Sequence, residues 1–141
     1  MSGFLIDTNV ISELIKPRPD PKVRNWIDAT DESLLFLSVL TVGEIRKGIV
    51  KLGDRGRRVA LEMWLDGVLL LRFAGRILPI DQAVADRWGR LAGVAMSRKA
   101  PLPVIDALLA ATALHYEMTL VTRNTKDLRL THVALFNPWL V

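Results

Sequence analysis

The sequence GFLIDTNV, residues 3–10, decides how the chain is interpreted. Residues 3–6 form a short apolar run, which is typical of a strand buried on both faces of a sheet. Asp7 follows at once, and because Asp, Thr and Asn are residues that cap helices, the turn predicts a helix over residues 10–16. The prolines that come next end that helix. A buried strand that leads directly into a helix is the repeating unit of α/β proteins.

The same alternation continues along the rest of the chain. Short apolar runs predict further strands at residues 34–38, 76–79, 119–122 and 133–136. Helical spacing of apolar side chains predicts helices over residues 22–29, 41–52, 57–73, 82–98 and 104–116. The last of these is apolar nearly all round, so we expect it at the centre. The sequence therefore predicts a three-layer α/β/α sandwich around a parallel sheet.

Length and composition restrict the class of protein. The 141 residues fit a single domain, residues 1–141, and a hydrophobic content of 50% excludes a disordered chain. The chain has no cysteine, which excludes a disulfide scaffold and any thiolate metal site. Asp7 comes too early for a secretory signal peptide, and no apolar run is long enough to span a bilayer. We therefore expect a cytoplasmic protein that does not use a membrane.

The chain has a net charge of +4, and many of its basic residues fall into three clusters along the sequence. A basic protein favours polyanionic partners, although solvated helix ends and loops explain any one cluster equally well. The three clusters are Lys47, Lys51, Arg55, Arg57 and Arg58; Arg98 and Lys99; and Arg123, Lys126 and Arg129.

Acidic residues fall where the predicted parallel strands end. Asp7 ends the first strand, Glu44 lies in the first turn of the helix after the second, and Asp106 lies in the first turn of the central helix. Asn124 and Asp127 follow the strand predicted at residues 119–122. Because ligands of such folds bind beyond the carboxyl ends of the strands, these side chains are the candidate site.

Each acid also has a purely structural explanation. Asp7 is a suitable helix cap, Glu44 completes a capping box with Thr41, and Asp106 balances a helix dipole. Thr8 and Ser38 are placed either to hydrogen-bond these carboxylates or to cap helices. Taken together, however, three carboxylates at one sheet edge repel one another unless a cation intervenes.

Magnesium is the cation that this donor set favours, since it takes few carboxylates and keeps several waters. Zinc is disfavoured because the chain has no cysteine and because His115 and His132 lack the spacing of a ligand pair. The chain has neither a G-x-x-x-x-G-K-[ST] phosphate loop nor a G-x-G-x-x-G fingerprint. Metal-assisted hydrolysis is the chemistry that remains.

Four motifs in order resemble the PIN-domain nucleases, and most closely the VapC-like toxins of bacterial toxin–antitoxin pairs. They are DTNV at residues 7–10, TVGE at 41–44, IDALLAATAL at 105–114 and LVTRN at 120–124. RILP at residues 76–79 and FNPW at 136–139 are similar to the FitB-type branch of that family. The resemblance covers almost the whole chain.

The resemblance implies an endoribonuclease dependent on Mg²⁺ or Mn²⁺, a homodimer, and inhibition by a cognate antitoxin that also provides the contact with DNA. Asp7, Glu44 and Asp106 match the family's metal-clustered acids. We expect Asp7 and Asp106 to bind the metal and Glu44 to position or deprotonate the attacking water. Asn124 stands where FitB-type sequences often have Asp, while Asp127 matches an acid that other VapC-like proteins place three residues further on. Which of the two is the fourth ligand stays open.

Other interpretations compete with this one. A receiver-like phosphoacceptor domain also gathers acids at the end of a parallel sheet, but it needs an acid pair near the first strand, where this chain has Asp7 alone. A non-catalytic PIN-like module, acting through a partner in a DNA-binding repressor complex, is compatible with Asn124, whereas the three retained acids argue against it. A nuclease directed at DNA is a variant of the leading interpretation. The apolar face of the helix at residues 57–73 belongs to an antitoxin groove, to the core or to a homodimer.

Overall fold

The computed structural model describes residues 3–141, and its central feature is a sheet of five parallel strands. In chain order these are β1 (Phe4–Ile6), β2 (Leu35–Ser38), β3 (Ile77–Leu78), β4 (Thr119–Val121) and β5 (Leu135–Phe136). Their spatial order is β3-β2-β1-β4-β5, and every neighbouring pair is parallel. The predicted parallel α/β fold is confirmed.

Within the described part of the chain, eight α-helices connect and cover these strands. They are α1 (Thr8–Leu14), α2 (Pro21–Ala29), α3 (Val39–Val50), α4 (Arg55–Trp64), α5 (Leu70–Arg72), α6 (Gln82–Ser97), α7 (Val104–His115) and α8 (Thr125–Leu128). Short 3₁₀ turns lie at Glu32–Leu34, Arg129–Thr131 and Pro138–Leu140. Among the residues described, no helix is both long enough and apolar enough to cross a bilayer.

Adjacent residues of β1 show why the sheet is covered on both faces. Successive side chains of a strand point to opposite sides. Leu5 packs in a cluster with Leu109 of α7 and Leu120, whereas Ile6 packs in a second cluster with Val10 of α1 and Val121. All six of these side chains are fully buried. The sheet is thus the middle layer of three, and α7 lies against it as predicted.

The predicted start of α3 was wrong. The helix begins at Val39 rather than at residue 41, because Ser38 at the end of β2 is its N-cap and its Oγ accepts from the N–H of Leu40 at 3.0 Å. The Thr41–Glu44 capping box therefore does not form. Thr41 is buried within the helix, and its hydroxyl has no hydrogen-bond partner among residues 3–141. Glu44 lies in the second turn, where its carboxylate is free for another role.

The long helix predicted over residues 57–73 is interrupted by a wider turn. α4 continues into a π-helical turn at Leu65–Leu69 and then into α5. Leu65, Leu69 and Phe73 are all buried in the cluster beneath α1 and α3. These side chains are four residues apart in the sequence, and the wider turn keeps all three on the face of the helix that packs against the core. Apolar periodicity predicts the helix but not this local change of pitch.

Candidate active site

A pocket of about 450 Å³ opens beyond the carboxyl ends of β1 and β4, and Asp7, Glu44, Asp106 and Asn124 all line it. The side chains belong to different parts of the chain: the end of β1, the middle of α3, the start of α7 and the loop after β4. The structure thus brings together the three acids that the sequence singled out. Their chemical roles stay a prediction at this point.

Asp7 is the most firmly held of the acids. Its backbone N–H donates to the carbonyl of Val121 at 2.9 Å, which joins β1 to β4 at the edge of the sheet. One carboxylate oxygen accepts from the N–H of Thr8 at 2.7 Å, so Asp7 caps α1 as predicted. The other accepts from the hydroxyl of Thr122 at 2.8 Å, and Asn9 Nδ2 lies 3.4 Å away. Only 6% of Asp7 is exposed.

Glu44 reaches the pocket from α3. Its Oε1 accepts a short hydrogen bond, 2.6 Å, from the hydroxyl of Thr8, the residue next to Asp7. The sequence left open whether Thr8 and Ser38 would bind carboxylates or cap helices. The structure gives Thr8 the first role and Ser38 the second.

Asp106 is only half buried and has a different partner. Its Oδ2 accepts from the side-chain amide of Asn124 at 2.9 Å. The backbone N–H of Asn124 donates in turn to the Thr122 hydroxyl at 3.0 Å. Thr122 thus connects the surroundings of Asp7 with those of Asp106. Sequence analysis gave Thr122 no role, although a polar residue directly after a buried strand was a usable signal.

The two candidates for a fourth ligand lie in different places. Asn124 lines the pocket beside Asp106. Asp127 was predicted in a loop but lies in α8, where it is exposed and outside the pocket lining. Its charge still contributes to the electrostatics, because it is among the groups that raise the pKa of Asp106.

Burial disfavours charge on two of the acids. It is the main cause that raises the pKa of Asp7, and the negative charges of Asp106 and Glu44 add to it. The hydrogen bonds from Thr122 and Thr8 oppose this shift. Burial also raises the pKa of Asp106, with Glu44 and Asp127 reinforcing it and the amide of Asn124 opposing it. A cation in the pocket would relieve both effects.

Two basic side chains also line the pocket. Lys16 Nζ lies 2.8 Å from Glu13 Oε1, and this hydrogen bond is the main cause that lowers the pKa of Glu13. Arg123 lies with its guanidinium carbon 4.8 Å from the centre of the Trp139 ring. Of the three basic clusters seen in the sequence, the third thus contributes Arg123 to the pocket.

The donor set fits a hard divalent cation that keeps most of its water. The candidate ligands are carboxylate and amide oxygens, which Mg²⁺ prefers. Within residues 3–141, no three acidic or histidine side chains are close enough to hold one ion together. One or two carboxylates with intervening waters are the coordination that Mg²⁺ ordinarily accepts, so the two observations agree. His115 and His132 line a different cavity, which leaves them out of this site.

Comparison with known proteins places the chain and its fold in a family. Residues 4–134 match the family model described as PIN domain. Toxin FitB of Neisseria gonorrhoeae is 37% identical over 136 residues, covering 96% of this chain and 98% of that protein. A VapC ribonuclease of Sinorhizobium fredii is 36% identical over 136 residues, covering 96% and 97%.

Solved structures agree with these sequence matches. The crystal structure of FitAcB from Neisseria gonorrhoeae superposes with a TM-score of 0.93 at 36% identity, covering 98% of this chain and 99% of the other. FitAB bound to a DNA fragment gives a TM-score of 0.91 at 37% identity, covering 96% and 95%. The chain therefore belongs to the PIN-domain family, in the branch that contains the FitB and VapC toxins.

Proposed function

We propose that this protein is a metal-dependent endoribonuclease and the toxin of a type II toxin–antitoxin pair, which hydrolyses RNA phosphodiester bonds with Mg²⁺ or Mn²⁺. One observation carries the proposal: carboxylates from β1, α3 and α7 converge on a single pocket at the carboxyl edge of the sheet. Relatives named as a toxin and as a ribonuclease, at more than one third identity, support it.

The chain offers Asp7 and Asp106 as the residues that would hold the metal, directly or through water. When bound, the ion would polarise the scissile phosphate and lower the pKa of a coordinated water. Thr122 fixes the position of Asp7, and Asn124 fixes that of Asp106. The two ligands are therefore oriented before any ion arrives, which limits the reorganisation that binding requires.

Glu44 is suited to accept a proton from the attacking water. Thr8 donates to Oε1, which orients the carboxylate and leaves Oε2 directed to other partners. Because Glu44 lines the same pocket as Asp7 and Asp106, its carboxylate faces the space in which such a water would be held. We assign Glu44 to water positioning and proton abstraction rather than to primary metal binding.

An apolar groove beside the acidic pocket suits the antitoxin. It has a volume of about 180 Å³ and is formed by α1, α3 and α4, with Ile11, Ile45 and Trp64 in its lining. Thr8 and Glu44 line both the groove and the acidic pocket. An amphipathic helix bound in the groove could place a Lys or Arg against the carboxylates and block the metal. We further propose that the toxin is a cytoplasmic homodimer and contacts DNA only through its antitoxin.

The decisive experiment compares purified wild type with Asp7→Asn on RNA, in Mg²⁺ and in EDTA. Asn retains the ability to cap α1, so the variant should fold while losing a metal ligand. We expect cleavage by wild type in Mg²⁺, none in EDTA, and a loss of at least about 100-fold in the variant, because several kcal/mol of metal-derived stabilisation disappear. Sequencing the RNA ends would identify the substrate. Full cleavage by Asp7→Asn, with contaminating nucleases excluded, would overturn the assignment.

Calorimetric titration with Mg²⁺ separates this proposal from the non-catalytic alternative. A module that acts only through a partner has no need of the ion, whereas the proposed enzyme should bind it and lose that binding in Asp7→Asn. Absence of Mg²⁺ binding by the wild type would favour the scaffold within a DNA-binding repressor complex.

A further inference from the structure

The two cations of the acidic pocket are held in different ways. Lys16 is neutralised by Glu13, which is itself 6% exposed and also accepts from the backbone N–H of Asp20 at 2.9 Å. Arg123, by contrast, has no acidic side chain within ion-pair distance in the part of the chain that the structure describes. It is exposed to solvent and lies over the ring of Trp139. The charge of Arg123 contributes to the lowered pKa of Glu13, but from beyond ion-pair distance. The donors of Lys16 are therefore committed, whereas those of Arg123 are available to a ligand.

Trp139 provides a fixed support for the Arg123 side chain. The indole is 6% exposed and belongs to the core cluster that contains Ile6 and Val10. Its backbone N–H donates to Asn137 Oδ1 at 2.9 Å, which anchors the C-terminal turn. The backbone N–H of Arg123 donates to Asn9 Oδ1 at 3.3 Å. A guanidinium that covers an aromatic ring keeps the N–H donors in its own plane free for an anion.

The pocket has more acidic than basic side chains, so an RNA strand can bind there only if a cationic donor contacts its phosphates. Four carboxylates line it, namely Asp7, Glu13, Glu44 and Asp106, against two cations, Lys16 and Arg123. A divalent ion would balance this excess of negative charge, but only close to the scissile phosphate. The neighbouring phosphates of an RNA strand would still meet carboxylates, because each nucleotide carries its own charge. Arg123 is the side chain on the pocket wall that can attract one of them, and guanidinium binds phosphate through two donors at once.

We infer that Arg123, supported by Trp139, binds a backbone phosphate of the RNA strand next to the scissile bond and so fixes the register of the strand in the pocket. Arg123 is then a substrate-binding residue, and Trp139 is a positioning residue that acts through it. The inference rests on the proposed function, since it names the contact by which that same site holds its substrate.

The test uses a matched pair of variants, Arg123→Gln and Lys16→Gln. Both remove one positive charge from the same pocket, so an effect of net charge alone would be equal in the two. We expect Arg123→Gln to raise KM for a single-stranded oligoribonucleotide about 10-fold or more, as for the loss of a charge-assisted contact, with kcat changed less than about threefold. Lys16→Gln should change KM less than about threefold, because Glu13 already neutralises that cation.

Two further measurements separate contact from structure. The slope of log Kd against log salt, measured with Asp7→Asn protein to prevent cleavage, should fall in magnitude by about 0.7 when Arg123→Gln is added, as for one phosphate of a single strand. Arg123→Lys should restore that slope but only part of the affinity, since Lys lacks the planar fork. Melting temperatures of all variants give the structural control.

The outcomes distinguish this inference from the proposed function. Equal increases of KM in Arg123→Gln and Lys16→Gln, or an unchanged salt slope, would overturn the inference while wild-type cleavage stands. If Arg123→Gln changed only kcat and also lowered the melting temperature, the role of Arg123 would be structural and the inference would be wrong. Absence of cleavage by the wild type, with the Arg123 effect on RNA binding intact, would overturn the nuclease assignment instead.

Discussion

The acidic pocket and the cavity beside α6 differ in how their polar groups are organised. The cavity is the larger, about 640 Å³ against about 450 Å³, and its lining includes Leu91, Val94 and Leu130. One acid, Asp86, lines it and pairs with Arg90 on the next turn of the same helix. In the acidic pocket, by contrast, carboxylates from separate elements meet and are hydrogen-bonded to residues far away in sequence.

The comparison favours the smaller pocket as the functional site, because its polar groups, rather than its volume, set it apart. Polar groups in the acidic pocket are held by the sheet edge and by one another, and burial raises the pKa of Asp7 and Asp106. An arrangement that costs free energy in the empty protein is expected where a ligand repays it. The larger cavity, with its acid already paired, has no such feature.

The largest difference between the two cavities is expected when one acid is removed from each and RNA cleavage is measured. We expect Asp106→Asn to lower RNA cleavage at least about 100-fold, because metal-derived stabilisation amounts to several kcal/mol. Asp86→Asn should leave cleavage within about twofold, since Asp86 and Arg90 form an exposed ion pair within one helix, which solvent screens. Parallel initial rates at saturating Mg²⁺ provide the measurement. Comparable losses in the two variants would mean that the acidic pocket has no special role.

A second pair of variants separates stability from activity. Thr122, which bonds to Asp7 of the acidic pocket, and Thr131, which lines the larger cavity, are both buried. Each hydroxyl donates one hydrogen bond and accepts at least one. Replacement of either by Val should lower the free energy of unfolding by about 1–3 kcal/mol. Only Thr122→Val should also lower cleavage, by about 10-fold, because it removes the hydrogen bond that orients the proposed metal ligand Asp7. Denaturant unfolding and rate measurements on the same preparations would test this, and an equal rate loss in Thr131→Val would contradict it.

The smallest expected effect is a pH dependence of stability in the metal-free protein. The pKa of Asp7 and of Asp106 is raised in the folded state, chiefly by burial. A carboxyl of this kind contributes stability at low pH that is lost as the pH rises through its folded pKa. Metal-free wild type should therefore lose stability relative to Asp7→Asn as the pH rises above about 4, the ordinary pKa of an aspartate.

The difference between wild type and Asp7→Asn isolates this contribution, because acids with a lowered pKa, such as Glu13 and Glu32, act in the opposite direction in both proteins. Saturating Mg²⁺ should reverse the trend for the wild type only, since the metal binds the ionised carboxylates. Thermal unfolding in EDTA and in Mg²⁺ would show it. A gap between the two proteins that does not change with pH would contradict the proposed cause.

Much of the fold could be predicted because its signals are local. The apolar runs around Leu5, Phe36 and Leu120 mark the strands, and the rule that parallel strands place ligands at their carboxyl ends led directly to Asp7 and Asp106. The start of α3 was misplaced because two capping residues, Ser38 and Thr41, compete for it, and only the geometry of the strand end decides between them. The π-helical turn has no signal in apolar periodicity, since the spacing of Leu65 and Leu69 fits an ordinary helix.

The contacts that organise the pocket could not be predicted in the same way. Thr122 and Asp7 are separated by 115 residues, and Thr8 and Glu44 by 36. Pairing of that kind follows from strand order, which a single sequence does not determine. The support that Trp139 gives Arg123 likewise depends on how the C-terminal turn folds back over the sheet edge.

Asp7 serves three purposes at once: its backbone joins β1 to β4, its side chain caps α1, and its charge faces the pocket. Asp106 faces the pocket without capping α7, whose N-cap is Pro103. In a lineage released from selection for catalysis, position 106 would accept a wide range of residues, whereas position 7 would accept only residues that still cap α1, such as Asn. Descendants without activity should therefore keep a capping residue at the end of the first strand long after Asp106 has been replaced.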